Sequence, residues 1–205
     1  MQIHDVVQGE QEWFDLRVQY PLTASKAQAI ASAGKGLETL CFEKMCEKYS
    51  SAEPERYSGK DTERGNELEA QARTIYELET GVDVQQVGFV TNESISSVGG
   101  ASPDGLVGEE GLVEIKCHND AKHFAKILEM KETGSFKIDS AYVWQMQMQM
   151  LFTGRKWCDM VAFNPNYKDS ILIVRVNEDK QAQAKIIAGL KIGEEILQGI
   201  ESKMK

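Results

Sequence analysis

The stretch "GGASPDGLVGEEGLVEIKCHN", residues 99–119, decides how the chain is read. Asp104 follows Pro103 and precedes Gly105 in an "SPDG" tetrad, whose proline fixes φ and whose glycine permits a sharp bend. Ten positions after Asp104, within "GLVEIKC" (residues 111–117), Glu114 and Lys116 interrupt what reads as a short apolar strand. Residues two apart on a strand share a face, so Glu114 and Lys116 point one way and Ile115 the other. Two readings are open. In the plainer one, Asp104 is a turn former and Glu114 and Lys116 are a solvated pair. In the other, the strand is buried, as its apolar surroundings suggest. Its charges then need a partner or a task, because unpaired burial is costly. A hairpin returning from Asp104 would bring its carboxylate beside Glu114. Two carboxylates and the Ile115 carbonyl form the hard-oxygen partial shell that Mg2+ accepts, with water and a phosphate oxygen completing it. Lys116 would stand within reach of an attacking water, to orient or deprotonate it and to offset phosphate charge.

Outward from this stretch, the pattern is a mixed sheet flanked by helices. Upstream, "TASKAQAIASAG" predicts a helix with Thr23 and Ser25 as candidate N-caps and a stop near Gly34, and "ETLCFEKMCEKY" a second. The polar segment 50–65 reads as a surface loop. "TERGNELEAQARTIYELETG" is the clearest helix, with Leu68, Ala72, Ile75 and Glu79 at helical spacing, Glu69 at the border of that face, and Gly81 as its stop. Strand-like pieces follow at 84–90, 95–100 and 111–117. The Gln/Met alternation of "AYVWQMQMQMLFTG" matches a strand of period two, but its residues are good helix formers and Gly154 can end a helix. As a helix it sets Gln145, Met148, Gln149 and Phe152 on one side. "WCDMVAFNP" and "SILIVRVN" predict a late hairpin. A long amphipathic helix closes the chain, with Ile186, Leu190, Leu197, Ile200 and Met204 along one stripe. Helices, three strands, a helix pair, two strands and a closing helix predict an α/β (α+β) fold.

The 205 residues suit a single domain spanning 1–205, with 41% hydrophobic and 27% charged residues. A net charge of −9 argues against a uniformly basic nucleic-acid coat, while leaving room for positive charge confined to one cleft. The four cysteines, at 41, 46, 117 and 158, form no C-x-x-C pair and read as reduced thiols. No secretory signal and no membrane-length apolar run is visible, so a cytoplasmic protein is expected. The three histidines, with His118 and His123 five apart, organise no metal site.

"SPDG" followed by "EIK" resembles the PD-(D/E)xK nuclease motif. The resemblance widens when "WFDLRVQYPLTAS", "RGNELEAQARTIYELETG", "LVEIKC" and "SAYVWQMQMQM" are added. Their order and approximate spacing, over roughly residues 12–155, are similar to those of the lambda-type phage exonucleases, the YqaJ-like viral recombinase family. The resemblance implies a restriction-endonuclease-like core with a central mixed sheet. It implies that Asp104, Glu114 and the Ile115 carbonyl hold Mg2+, with Mn2+ able to substitute, and that Lys116 acts on the attacking water. Glu69 matches the family's helix glutamate, and Gln145 its active-site glutamine, with Gln147 as the neighbouring alternative. Arg17 and Ser25 match the residues that hold a 5′-phosphate, with one extra residue between them. Trp13 and Tyr20 are aromatics that could stack on a frayed end or pack in the core. No C-terminal cysteine group follows Cys158, so no iron–sulfur cluster is expected.

On this resemblance the chain is a Mg2+-dependent 5′-to-3′ exonuclease on linear double-stranded DNA, releasing mononucleotides and leaving a 3′ overhang. Its expected partners are double-stranded DNA ends, a single-strand annealing protein, and two further copies of itself in a homotrimeric ring, within a bacterial host of phage or prophage. An endonuclease with the same site and a non-catalytic DNA-end-binding protein are the competing readings.

Overall fold

The computed structural model describes residues 1–51 and 60–204. Strand β1 (Gln2–His4) leads to helix α1 (Gln11–Gln19), strand β2 (Leu22–Thr23), a 3-10 turn (Ala24–Lys26), and helices α2 (Ala27–Ser32) and α3 (Lys35–Tyr49). Helix α4 (Lys60–Thr80) precedes strands β3 (Val84–Gln85), β4 (Phe89–Thr91), β5 (Gly99–Gly100), β6 (Gly105–Val107) and β7 (Gly111–Cys117). Helices α5 (Asp120–Thr133) and α6 (Ser140–Thr153) then lead to β8 (Trp157–Phe163), β9 (Ile171–Asn177) and the closing α7 (Lys180–Met204). The central sheet has the order β3-β6-β7-β8-β9. Its one parallel pair, β7 with β8, is joined through α5 and α6, and the other neighbours are antiparallel. This is the mixed sheet flanked by helices that the sequence predicts.

The alternation along β7 and β8 divides the sheet into two faces. Val113, Ile115, Val161 and Phe163 pack with Ala72 and Tyr76 of α4. Leu112, Cys158, Met160 and Ala162 pack on the other side with Met146 and Met150 of α6 and Ile127 of α5. A third cluster joins α2, α3, α6 and α7 through Ile30, Leu37, Met148, Phe152, Ile186 and Leu190. Helix α6 is therefore covered on several sides at once. Met146 and Met150 face the sheet while Met148 and Phe152 face α2 and α7. That explains why its sequence imitates a strand: an alternation of period two is what a helix shows when two opposed faces are both buried. At Gly189 a Cβ would lie 1.8 Å from the Ile30 carbonyl oxygen, so only glycine lets α7 approach α2 this closely.

Several expected elements are redrawn. The strand expected at 84–90 is split: β3 joins the central sheet, whereas β4 pairs with β1. Of 95–100 only Gly99 and Gly100 form a strand, and they pair with β2. "SPDG" is not the chain reversal; Gly105 already opens β6, and the hairpin turns at Gly108–Glu110, with Gly108 at φ +52°. Part of the polar segment 50–65, residues 52–59, lies outside the described residues, and from Lys60 onward the chain is helical rather than loop. Among the described side chains of α4, Ala72 and Tyr76 are deeply buried and Leu68 and Ile75 partly so. Thr23 and Ser25 cap no helix through their side chains, and their hydroxyls instead lie 3.3 Å apart. Along α7, Ile186, Leu190 and Leu197 are buried but Met204 is exposed, because the stripe outruns the core it covers.

Candidate active site

Strand β6 begins at Gly105 opposite Val113, so Glu114 and Ile115 lie past its end, level with Asp104. The Asp104 side chain takes the place of the missing ladder partner: its Oδ2 accepts the Ile115 amide at 2.6 Å. Glu114 points to the α6 side of β7 and is fully buried. Both of its oxygens are engaged. Oε1 lies 2.5 Å from Lys116 Nζ and accepts from Gln145 Nε2 at 2.7 Å. Oε2 accepts from Gln149 Nε2 at 2.6 Å. Lys116 shares the face of Glu114, as two residues apart on a strand must, and its ammonium also lies 5.2 Å from the Tyr142 ring centroid.

The electrostatics follow from this crowding. Burial and the adjacent Glu114 carboxylate hold Asp104 well above the ordinary carboxylate range, against the pull of Lys116. Burial opposes charge on Lys116, but Glu114 and Asp104 outweigh it and raise the lysine, which stays an ammonium. Glu69, two turns before Tyr76 on α4, is also raised by burial; Arg73 and Lys116 oppose that shift and Glu114 adds to it. Glu69 is tied to Arg73 Nη2 at 2.8 Å rather than to Lys116 or Glu114.

The site thus brings together Asp104, Glu114, Ile115, Lys116 and Gln145, with Glu69 in electrostatic range. Gln147, the alternative to Gln145, turns away: it donates to the Asn177 carbonyl and accepts from the Asp179 amide, both at 2.8 Å. Gln149 also reaches Glu114. The sequence pointed to it only as a neighbour on the face of Gln145, one turn away. Among the described residues no group of three or more His, Cys, Asp or Glu side chains is gathered to hold a metal ion. The donor chemistry nevertheless suits a hard divalent cation. Asp104 and Glu114 are adjoining carboxylates; burial and the Glu114 charge push Asp104 toward its neutral form, and a divalent cation between them would favour the ionised form instead.

Among the described residues, Arg17 and Ser25 make no hydrogen bond with each other or with Asp104, Glu114 or Lys116. The Arg17 guanidinium lies 4.3 Å from the Trp13 ring centroid and makes no ion pair among the described residues. Burial lowers its pKa, with Glu47 acting the other way. Ser25 lies in the 3-10 turn, and the α-helix behind it starts only at Ala27 and runs for six residues, later and shorter than the sequence predicts. Trp13 donates its indole N–H to Ser102 Oγ at 2.8 Å, which ties α1 to the segment just before Asp104. Tyr20 is packed against His4 and Phe89.

A mixed sheet carrying Asp104, Glu114 and Lys116 across the β6–β7 hairpin defines the PD-(D/E)xK class of nuclease folds. The YqaJ-like viral recombinase domain matches residues 12–156, and the chain belongs to that family. Among solved structures it is similar to an alkaline exonuclease from Laribacter hongkongensis, at 32% identity over 95% of this chain and 98% of that one, with a TM-score of 0.76. The same enzyme in complex with dAMP matches at 33% identity, equal coverage and a TM-score of 0.76. A phage-related exonuclease from Haemophilus somnus 129PT, at 17% identity and a TM-score of 0.64 over 90% of this chain and 96% of that one, shares the fold. No curated protein matches the chain. Among the described residues no helix is long and apolar enough to cross a membrane.

Proposed function

We propose that this chain, a deoxyribonuclease of the exonuclease type, degrades one strand of linear double-stranded DNA from the 5′ end, releasing 5′-mononucleotides and leaving a 3′ overhang for recombination by strand annealing. The observation that carries the reading is the Asp104–Glu114–Lys116 cluster, a fully buried acid bonded to a lysine two residues on and flanked by a second, strongly perturbed carboxylate. Such a concentration of perturbed groups marks reaction sites rather than ordinary surface pairs.

Asp104, Glu114 and the Ile115 carbonyl would hold Mg2+, with Mn2+ as a substitute, and the ion would supply Lewis acidity at the scissile phosphate. Lys116, kept as an ammonium by Glu114 and Asp104, orients the attacking water and offsets the charge of the phosphate. Gln145 fixes the Glu114 oxygen that Lys116 shares. Glu69 stands at the edge of the cluster and, released from Arg73, would help to hold water or cation. Arg17, a half-buried guanidinium with unpaired donors, suits a terminal 5′-phosphate, with Ser25 as a second ligand. A homotrimeric ring around the DNA would reconcile a charge of −9 per chain with a basic channel. A single domain over 1–205, a cytoplasmic setting in a phage-bearing cell and a single-strand annealing partner complete the reading.

One assay tests reaction, polarity and end recognition together. Linear duplex bearing a 5′-phosphate, the same duplex with a 5′-hydroxyl, and sealed circular duplex are incubated with and without Mg2+. Mononucleotide release from the phosphorylated linear substrate, only with the cation, is expected. Cutting of sealed circles would establish an endonuclease instead.

A further inference from the structure

Helix α6 carries three glutamines at alternate positions, and the structure separates them by task. Gln147 is a structural amide: it is buried and satisfied at both ends by the backbone of the β9–α7 connection. Gln145 is partly buried and reaches Glu114 Oε1. Gln149 is fully buried, and its nitrogen donates to Glu114 Oε2 at 2.6 Å and, at a longer 3.4 Å, to the Ser102 carbonyl. Its own oxygen is buried with no hydrogen-bond partner among the described residues. A buried amide left half satisfied is unfavourable, and an apolar side chain of the same shape would avoid the loss. The amide is therefore explained by what its nitrogen holds.

We infer that Gln149 is a positioning residue, which sets the orientation of the Glu114 carboxylate by fixing the oxygen that Lys116 and Gln145 leave free. A carboxylate on a flexible side chain can rotate about its last bond, and a donor on each oxygen removes that freedom. Gln145 and Gln149 are one helical turn apart, so a single helix face supplies both donors. Ser102, two residues before Asp104, is the second group that the Gln149 nitrogen addresses, so the same amide spans the two acidic arms of the site. The inference rests on the nuclease reading above, in which Glu114 holds the divalent cation. Groups that orient a metal ligand typically change cation affinity or activity by about 10–100-fold when removed.

The test compares Gln149→Met with Gln147→Met in the full chain. Mn2+ binding is measured by calorimetry without DNA, kcat and KM on 5′-phosphorylated linear duplex with Mg2+, and the melting temperature of each variant. For Gln149→Met we expect Mn2+ affinity and kcat to fall by about 10–100-fold with KM for DNA nearly unchanged. For Gln147→Met we expect a lower melting temperature with wild-type cation affinity. Gln149→Asn, which stays polar but is one methylene too short to reach Glu114, is the second variant should the methionine fail to fold, and it is expected to show the same loss. A folded Gln149 variant with wild-type Mn2+ affinity and kcat overturns the inference. A wild-type chain that cleaves no DNA with either cation overturns the nuclease reading instead, so the two failures are distinguishable.

Discussion

The Asp104–Glu114–Lys116 cluster and the Arg17 region differ in how completely their parts are held. At the centre, Glu114 is bonded on both oxygens and Asp104 is locked to the Ile115 amide. Around Arg17 a guanidinium leans on Trp13 with no ion pair among the described residues, and Ser25 is exposed beside Thr23. A centre that stabilises a charged transition state has to be organised before the substrate arrives. In the proposed role of Arg17, a terminal phosphate would itself supply the partners that these donors lack. Trp13 links the two regions, supporting Arg17 with its ring while its N–H holds Ser102 near Asp104.

The largest effect should come from Lys116→Ala. Cleavage is expected to fall by about 10²- to 10⁴-fold while DNA binding in the absence of divalent cation is retained. An active Lys116→Ala would remove the lysine from the chemistry. Arg17→Ala should sharpen the contrast. It is expected to cost about 10- to 100-fold in kcat/KM on 5′-phosphorylated ends, and little on 5′-hydroxyl ends. Equal losses on both would show that Arg17 serves folding or general DNA contact.

The rear of the centre offers a stability test. Asp159 is buried under α4, where it accepts from the Tyr76 hydroxyl at 2.8 Å and from Arg175 at 2.8 and 2.9 Å. Asp159→Ala should cost about 2 kcal/mol in denaturant unfolding, less than a wholly buried pair because Arg175 is half exposed. An unchanged midpoint would mean that α4, and with it Glu69, is not braced from below.

The smallest effect concerns His118, just beyond β7. Burial first, then Lys122, Lys126 and His123, lower its pKa to about 4, with Asp139 opposing. The neutral ring is favoured in the fold, so this contribution is complete above the ordinary histidine range and is lost as pH falls toward about 4. His118→Gln should flatten that part of the stability profile. A profile that keeps its slope in the variant would assign it to other groups.

What was legible in the sequence was mostly local. A strand carries its own alternation, so Glu114 and Lys116 on one face followed from their spacing, and the short hairpin back to Asp104 followed from chain reach. Helix α6 was legible through composition, since Met and Gln favour a helix even where alternation imitates a strand. Arg73 as the partner of Glu69 was within reach as well, being four residues along the same helix.

Other features could not be read, because they depend on residues far apart in the chain. Nothing near Phe89 announces that it pairs with His4, and nothing near Val84 says that β3 leaves β4 for the central sheet. Gln145, Gln147 and Gln149 look alike in a sequence. Only the packing of α6 over β7 directs the first and third to Glu114 and the second to the β9–α7 connection. Short-range spacing brought Asp104, Glu114 and Lys116 together, while Glu69 and Gln145 were assigned by the family resemblance. The tertiary structure alone decided which of them meet, because side-chain hydrogen bonds have a reach of about 3 Å and that distance is set by how whole elements pack.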